Sequence, residues 1–320
     1  MLLDESVEAL QVRPSGLYVD CTAGGGGHSA SVASRLGPGG RLVAFDRDED
    51  AVAATRDRIA RALAGRPAAQ RPRVDVVHAR FSEAPDRLRE LGIEPGSVDG
   101  LLADLGVSSP QIDRPERGFS FGADGPLDMR MDRSSGPTAA DLVATLDRRE
   151  LRDLLRDFGD EREAGRIASV LLRRREERSF ESTADLAEVV SAAKGGRRGA
   201  RTHPATKTFQ ALRIAVNREL DELDAMLGWG PDLLAAGGRW AVITFHSGED
   251  RRVKRRFAEL RKGCVCPPSA PICICGKQPV LAVPRGKGTT AGDAELAANA
   301  RSRSARLRVA ERLPTEGSSS

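Results

Sequence analysis

The sequence predicts an α/β protein built on a doubly wound, mostly parallel sheet, and three observations predict it. Short apolar runs at 17–19, 41–45, 74–77 and 98–103 recur with helix-compatible segments between them, the rhythm of repeated βαβ units. The first run ends in Asp20-Cys21-Thr22-Ala23-Gly24-Gly25-Gly26-Gly27-His28-Ser29, where a glycine turn joins a strand to the start of a helix. The second run ends in Asp46, about 20 residues beyond Gly26, the spacing of an acid that reaches a ribose.

Taken in order, residues 6–10 precede the first strand and are expected to pack against the sheet. Residues 17–19 read as a buried strand, because aromatic and β-branched side chains in a short run suit a pleated surface. A dinucleotide fingerprint needs a third glycine where Ser29 stands, and Asp20 would repel a pyrophosphate. A methionine-derived sulfonium ligand carries a cationic amino-acid part, which an acid there tolerates. Asp46 can accept both hydroxyls of an adenosine ribose. A generic glycine loop with a surface acid would carry the same residues. Helices follow at 30–36, stopped by Gly37-Pro38-Gly39-Gly40, and at 51–63; 65–72 is a loop, and strands lie at 74–77 and 98–104.

The rhythm breaks after Asp104. Residues 108–137 are rich in Gly, Pro, Asp and Arg, too long for an ordinary connection. Phe119, Phe121, Leu127, Met129 and Met131 place large apolar groups inside it, which predicts an ordered, functional loop. From 138 to 193 the pattern is helical, with starts at Thr138-x-x-Asp141 and Ser182-x-x-Asp185. The basic stretch 194–201, with Arg197, Arg198 and Arg201, reads as a flexible hinge suited to phosphate contacts, or as a solvated arginine-rich face. One long helix is then expected through Phe209, Leu212, Val216, Leu220, Leu223 and Leu227. A buried strand at 239–245, a charged helix at 249–262, a last strand at 305–311 and a disordered end from 315 complete the reading.

Composition narrows the function class. The 320 residues carry a net charge of +4, 40% hydrophobic and 30% charged residues, ordinary for a globular protein and compatible with RNA. With no long apolar run and no leader pattern, a cytoplasmic location is expected, without a membrane partner; five cysteines in that compartment argue against a disulfide framework.

The combination of Asp20 to His28, Asp46-Arg47-Asp48, Arg80-Phe81, Asp104-Leu105-Gly106-Val107-Ser108-Ser109-Pro110-Gln111 and Thr244-Phe245-His246-Ser247 resembles the MraW (RsmH) family, from about residue 2 to residue 312. That family consists of bacterial methyltransferases that modify N4 of a cytidine in 16S ribosomal RNA. The chain begins inside the family's usual lead-in, and Gly248 stands where the family usually has Leu. The resemblance implies a class I (Rossmann-like) S-adenosylmethionine-dependent methyltransferase sheet with an inserted helical subdomain. The expected division is 1–112 with 203–313 for the methyltransferase domain, 113–202 for a substrate-recognition insertion, and 314–320 for a disordered tail.

The resemblance further implies that Gly26, Gly27, His28, Asp46, Phe81, Asp104 and Gln111 line the S-adenosylmethionine site, with Phe81 over the adenine. Asp104 to Gln111 stands where amino-methyltransferases keep an Asp/Asn-Pro-Pro-aromatic motif, whose oxygens accept both amine hydrogens and turn the nitrogen lone pair toward the methyl group. Ser109-Pro110 is a candidate for the carbonyl, Phe119 or Phe121 for the missing aromatic. A strand end followed by a plain turn is the alternative. His246 ends a buried strand at the same edge, either as a packed residue or at the substrate pocket. Cys264, Cys266, Cys273 and Cys275 can hold one structural Zn²⁺, or stand as four free thiols. Methylation of another nucleobase amine, DNA included, and a non-catalytic RNA-binding assembly factor are the competing functions.

Overall fold

The computed structural model describes residues 1–196, 202–267, 272–284, 286 and 288–314. The chain divides into two compact units, one of Met1–Gly106 with Asp221–Ser320 and one of Val107–Leu220.

The first unit opens with α1 (Leu3–Leu10), then β1 (Leu17–Asp20), α2 (Gly27–Arg35), β2 (Arg41–Asp46), α3 (Glu49–Ala62), β3 (Arg73–His78), α4 (Ala84–Glu90) and β4 (Val98–Asp104). The second contributes α5 (Ser109–Asp113), α6 (Ala139–Thr145), α7 (Arg148–Gly159), α8 (Ala164–Glu177), α9 (Thr183–Ala193) and α10 (Thr206–Asn217). The chain returns through α11 (Glu219–Leu233), β5 (Leu234–Thr244), α12 (Ser247–Arg261), β6 (Leu281–Ala282), β7 (Thr289–Thr290), α13 (Asp293–Ala298) and β8 (Arg306–Arg312).

The sheet runs β3-β2-β1-β4-β5-β8-β6, with β7 also on β8. The first five strands in sequence pair in parallel, and β8 lies antiparallel against β5. Helices cover both faces of such a sheet, so β2 shows no alternation: Leu42, Val43, Ala44 and Phe45 are all buried. The order reverses between β1 and β4, which leaves a crevice beyond their carboxyl ends where ligands bind in open α/β sheets. Asp20, Asp46 and Asp104 end β1, β2 and β4 on that edge.

The inserted unit has its own core of Leu127, Met129, Leu151, Leu155, Ile167, Leu171, Leu186, Val190, Phe209 and Leu212. Its long Gly/Pro-rich segment is ordered, as its apolar groups predict. The Arg117 guanidinium donates to the carbonyls of Arg130 and Met131 at 3.1 and 3.0 Å. The Asn217 amide donates to the Met129 carbonyl at 2.7 Å and accepts the Met131 N–H at 2.8 Å.

Several expectations shift. The insertion starts at Val107 and ends at Leu220, where the sequence suggested 113 and 202. Phe209 and Leu212 explain the later end, since both are buried in the inserted core. The expected single helix from 209 to 227 is two, broken at Arg218, whose φ of 49° is left-handed. Helices α4 and α13 and the short strands β6 and β7 were not anticipated. The hinge arginines Arg197, Arg198 and Arg201 and the tail from 315 lie outside the described residues.

Candidate active site

The glycine turn is held from three sides within the first unit. Asp20 is 1% exposed: one carboxylate oxygen accepts the Ser29 hydroxyl at 2.6 Å, the other the Thr22 N–H at 3.0 Å. Burial pushes its carboxyl above the usual range. These bonds brace the loop. From α3, Thr55 donates to the Gly24 carbonyl at 3.1 Å and Arg58 to the Gly25 carbonyl at 3.2 Å. Gly26 caps α2 at φ 74°, and a Cβ there would stand 2.9 Å from Thr55 Cα, so the fold itself requires this glycine. A Cβ built on Gly25 would meet no atom within 4 Å, and one on Gly27 only the Arg58 guanidinium, at 3.8 Å. Open space beside backbone with no side chain fits a ligand that must come close.

Asp46 sits at the end of β2 with each oxygen anchored. Oδ2 accepts the Gly24 N–H at 2.7 Å and Oδ1 the Asp48 N–H at 2.9 Å. A carboxylate oxygen has capacity for a second donor, so the pair can take two ribose hydroxyls from fixed positions. Burial raises its pKa to about 6 against the two N–H bonds that lower it. Phe81 lies in the turn after β3. The Trp229 indole N–H donates to its carbonyl at 3.1 Å, and the N–H and hydroxyl of Ser82 bind the Glu222 carboxylate at 2.9 and 3.1 Å. The ring is thus mounted on a fixed backbone at the same sheet edge.

Asp104 is held in place by its own backbone, whose N–H donates to the Thr22 hydroxyl at 2.6 Å. Its Oδ2 lies 3.1 Å from the Met1 amine. Its Oδ1 is buried and has no hydrogen-bond partner among the described residues. An acceptor left so is costly in a resting protein and marks a place for a donor. Burial pushes the carboxyl to about 6, although the Met1 amine lowers it. His28 is close by, Nδ1 3.7 Å from Asp104 Oδ2 and Nε2 3.1 Å from the Met1 carbonyl. Burial holds its pKa down at about 4, so the ring is neutral near pH 7 and its Nε2–H donates to that carbonyl. The residue positions the N-terminal segment.

Other expected site residues are placed differently. His246 is the N-cap of α12: Nδ1 accepts the Gly248 N–H at 3.2 Å and Nε2 lies 3.2 Å from Glu249 Oε1. Nδ1 thus holds the helix start, whereas Nε2 is buried and has no hydrogen-bond partner among the described residues. Ser109 and Pro110 form the first turn of α5 in the inserted unit, and the Pro110 carbonyl accepts the Arg114 N–H at 3.2 Å. That carbonyl already accepts one helix bond and keeps one further lone pair. Gln111 belongs to the same capping box, its Oε1 accepting the Ser108 N–H at 2.9 Å. Phe121 packs on Phe209 and His203 with ring centroids 4.9 and 4.5 Å away, and Phe119 packs against the same inserted core. The four paired cysteines gather in one cluster. Thr22, Thr55 and Arg58 were missed, since no motif marks a side chain that bonds the backbone of a distant turn.

A family model described as the MraW methylase family matches residues 1–313. The chain is 48% identical over 314 residues to the ribosomal RNA small subunit methyltransferase H of Citrifermentans bemidjiense, covering 98% of this chain and 97% of that protein. The namesake protein of Symbiobacterium thermophilum is also 48% identical, with 98% and 96% covered, and that of Halorhodospira halophila 50%, with 98% and 93% covered. None of the helices of the described residues is long and apolar enough to cross a membrane.

Proposed function

The chain belongs to the MraW methylase family, and from that premise we propose that it methylates N4 of a cytidine in 16S ribosomal RNA of the small subunit, in the cytoplasm, with S-adenosylmethionine as donor. The observation that carries the amine assignment is the buried Oδ1 of Asp104 at the end of β4, which has no hydrogen-bond partner among the described residues. The residues fit the donor: backbone at Gly25 and Gly27 open to close approach, and a doubly anchored carboxylate at Asp46.

When bound, S-adenosylmethionine supplies an electrophilic methyl group on sulfur. Asp46 takes the ribose hydroxyls, and Phe81 covers one face of the adenine. Asp104 Oδ1 accepts a hydrogen of the exocyclic amine, which fixes the nitrogen lone pair toward the methyl group. The same carboxylate receives the proton that nitrogen must lose after transfer. No general acid is required, so fixed position and exclusion of water do most of the work. Incubation with small-subunit RNA and the donor, followed by nucleoside mass spectrometry, should yield N4-methylcytidine. A methylated purine would overturn the base assignment and product on DNA alone the RNA assignment; no cofactor binding would favour the assembly-factor reading.

RNA selection is assigned to the inserted unit. On it the exposed side chains of Arg148, Arg166 and Arg173 line a recess of about 550 Å³. Guanidinium groups suit backbone phosphates, and such contacts weaken with salt. Changing Arg166 and Arg173 to Glu should weaken RNA binding and lower the slope of log affinity against log salt by about 1–2. Calorimetric affinity for S-adenosylmethionine should stay where it was. An unchanged slope would remove this recess from the RNA path.

A further inference from the structure

The segment after α12 cannot be held by a hydrophobic core. Residues 262–267 and 272–279 contain no buried side chain, and no helix or strand lies among them. Val265, Ile272 and Ile274 are 59%, 74% and 89% exposed, so its large apolar groups face outward. Yet the two limbs meet at their base. The Val280 N–H donates to the Leu260 carbonyl at 2.8 Å, and Gly263 packs so closely that a Cβ would lie 3.0 Å from Pro279 Cδ. Short segments without a core usually rely on a cross-link.

At the tip, the sulfurs of Cys264, Cys266, Cys273 and Cys275 all lie within 4.8 Å of one another. Cys273 to Cys275 measures 3.5 Å and Cys275 to Cys264 3.7 Å. A zinc ion with four sulfurs at its usual bond length defines a tetrahedron whose edges are about 3.8 Å. A disulfide needs a separation near 2.05 Å, and all four cysteines are free. The sulfurs also receive backbone donors, Val265 N–H to Cys275 at 3.4 Å and Cys266 N–H to Cys264 at 3.3 Å. Such N–H···S contacts stabilise thiolate around a metal.

We propose that Cys264, Cys266, Cys273 and Cys275 bind one structural Zn²⁺ that closes the segment between α12 and β6. With four thiolates the coordination sphere is full, so the ion holds structure and has no open position for substrate. Binding displaces the thiol protons to the buffer and leaves a centre of net charge −2, with Lys262 and Lys277 beside it in the chain.

The full-length protein, purified under reducing conditions from zinc-supplemented cells, should contain about one zinc per chain by elemental analysis. After removal of metal by chelator, titration with Co²⁺ should give the thiolate-to-metal charge-transfer band of a tetrahedral sulfur site, saturating at about one equivalent. Cys264→Ser with Cys273→Ser should lower the zinc content below about 0.1 per chain. Should that variant fail to fold, the Co²⁺ titration of the unmutated protein still decides. The proposal is overturned if the protein holds no metal and all four thiols alkylate at the rate of free cysteine, if iron occupies the site, or if the cysteines are isolated as disulfides.

Discussion

Replacing Asp104 by alanine is expected to lower kcat for methyl transfer by about 10²–10³-fold, the cost of removing one preorganised partner of the reacting group. The variant loses the only buried carboxylate oxygen at the end of β4 that has no hydrogen-bond partner among the described residues. Asparagine keeps an acceptor oxygen in that position but cannot take the proton, so its activity should lie between those of alanine and the parent. Labelled methyl transfer under saturating donor and RNA measures both. If alanine and asparagine fall equally, the carboxylate acts by charge and not by accepting an amine hydrogen; if neither falls, the amine is held elsewhere. Because burial raises this carboxyl to about 6, transfer by the unmutated protein should decline as pH drops through that value.

Asp46→Ala should weaken S-adenosylmethionine binding by about 2–3 kcal/mol, roughly 30- to 150-fold, through loss of two charge-assisted bonds to the ribose. Titration calorimetry reads the change directly, and unchanged affinity would remove β2 from the cofactor site. The pH dependence has a definite sign. Asp46 is pushed up to about 6, and the carboxylate is the form that accepts two hydroxyls, so affinity should be flat above pH 7 and fall about tenfold per unit below 6. The folded state holds this proton more tightly than the unfolded chain, so Asp46 makes the cofactor-free protein gain stability as pH falls from about 6 toward 4. Lost binding in that range is therefore not explained by unfolding at this residue. The Asp46→Ala variant should show a flatter profile.

The parallel sheet was legible because its strands are short apolar runs bounded by glycine and acid, and the strand-end acids Asp46 and Asp104 mark the ligand edge by spacing alone. Periodicity failed at Arg218. A single left-handed residue leaves the apolar spacing from Phe209 to Leu227 intact while ending one helix and starting another. The helix at Ser109 and Pro110 was hidden because a Ser-Pro pair after a strand reads equally as a turn and as a helix start, and Pro at the first helical positions is common. His246 was opaque for a related reason: a histidine at an N-cap carries no signal, although Glu249 three residues on completes the box. The bracing bonds of Asp20, Thr22 and Arg58 depend on which turns face each other, and only the assembled sheet reveals that. The cysteine cluster, by contrast, follows from local spacing, and its four sulfurs do converge.

The order of strands in the sheet also governs when this protein can finish folding. β4 pairs with β5, as in Leu101 beside Trp240, but the whole inserted unit is synthesised between them. The strand that flanks β5 on its other side, β8, is the last to leave the ribosome. Until it arrives, the run Trp240-Ala241-Val242-Ile243 presents an unpaired backbone edge lined with apolar side chains, the kind of edge that pairs with other chains. A chain stopped short of Arg306 would retain every residue assigned to the cofactor and still be a sticky, half-closed sheet.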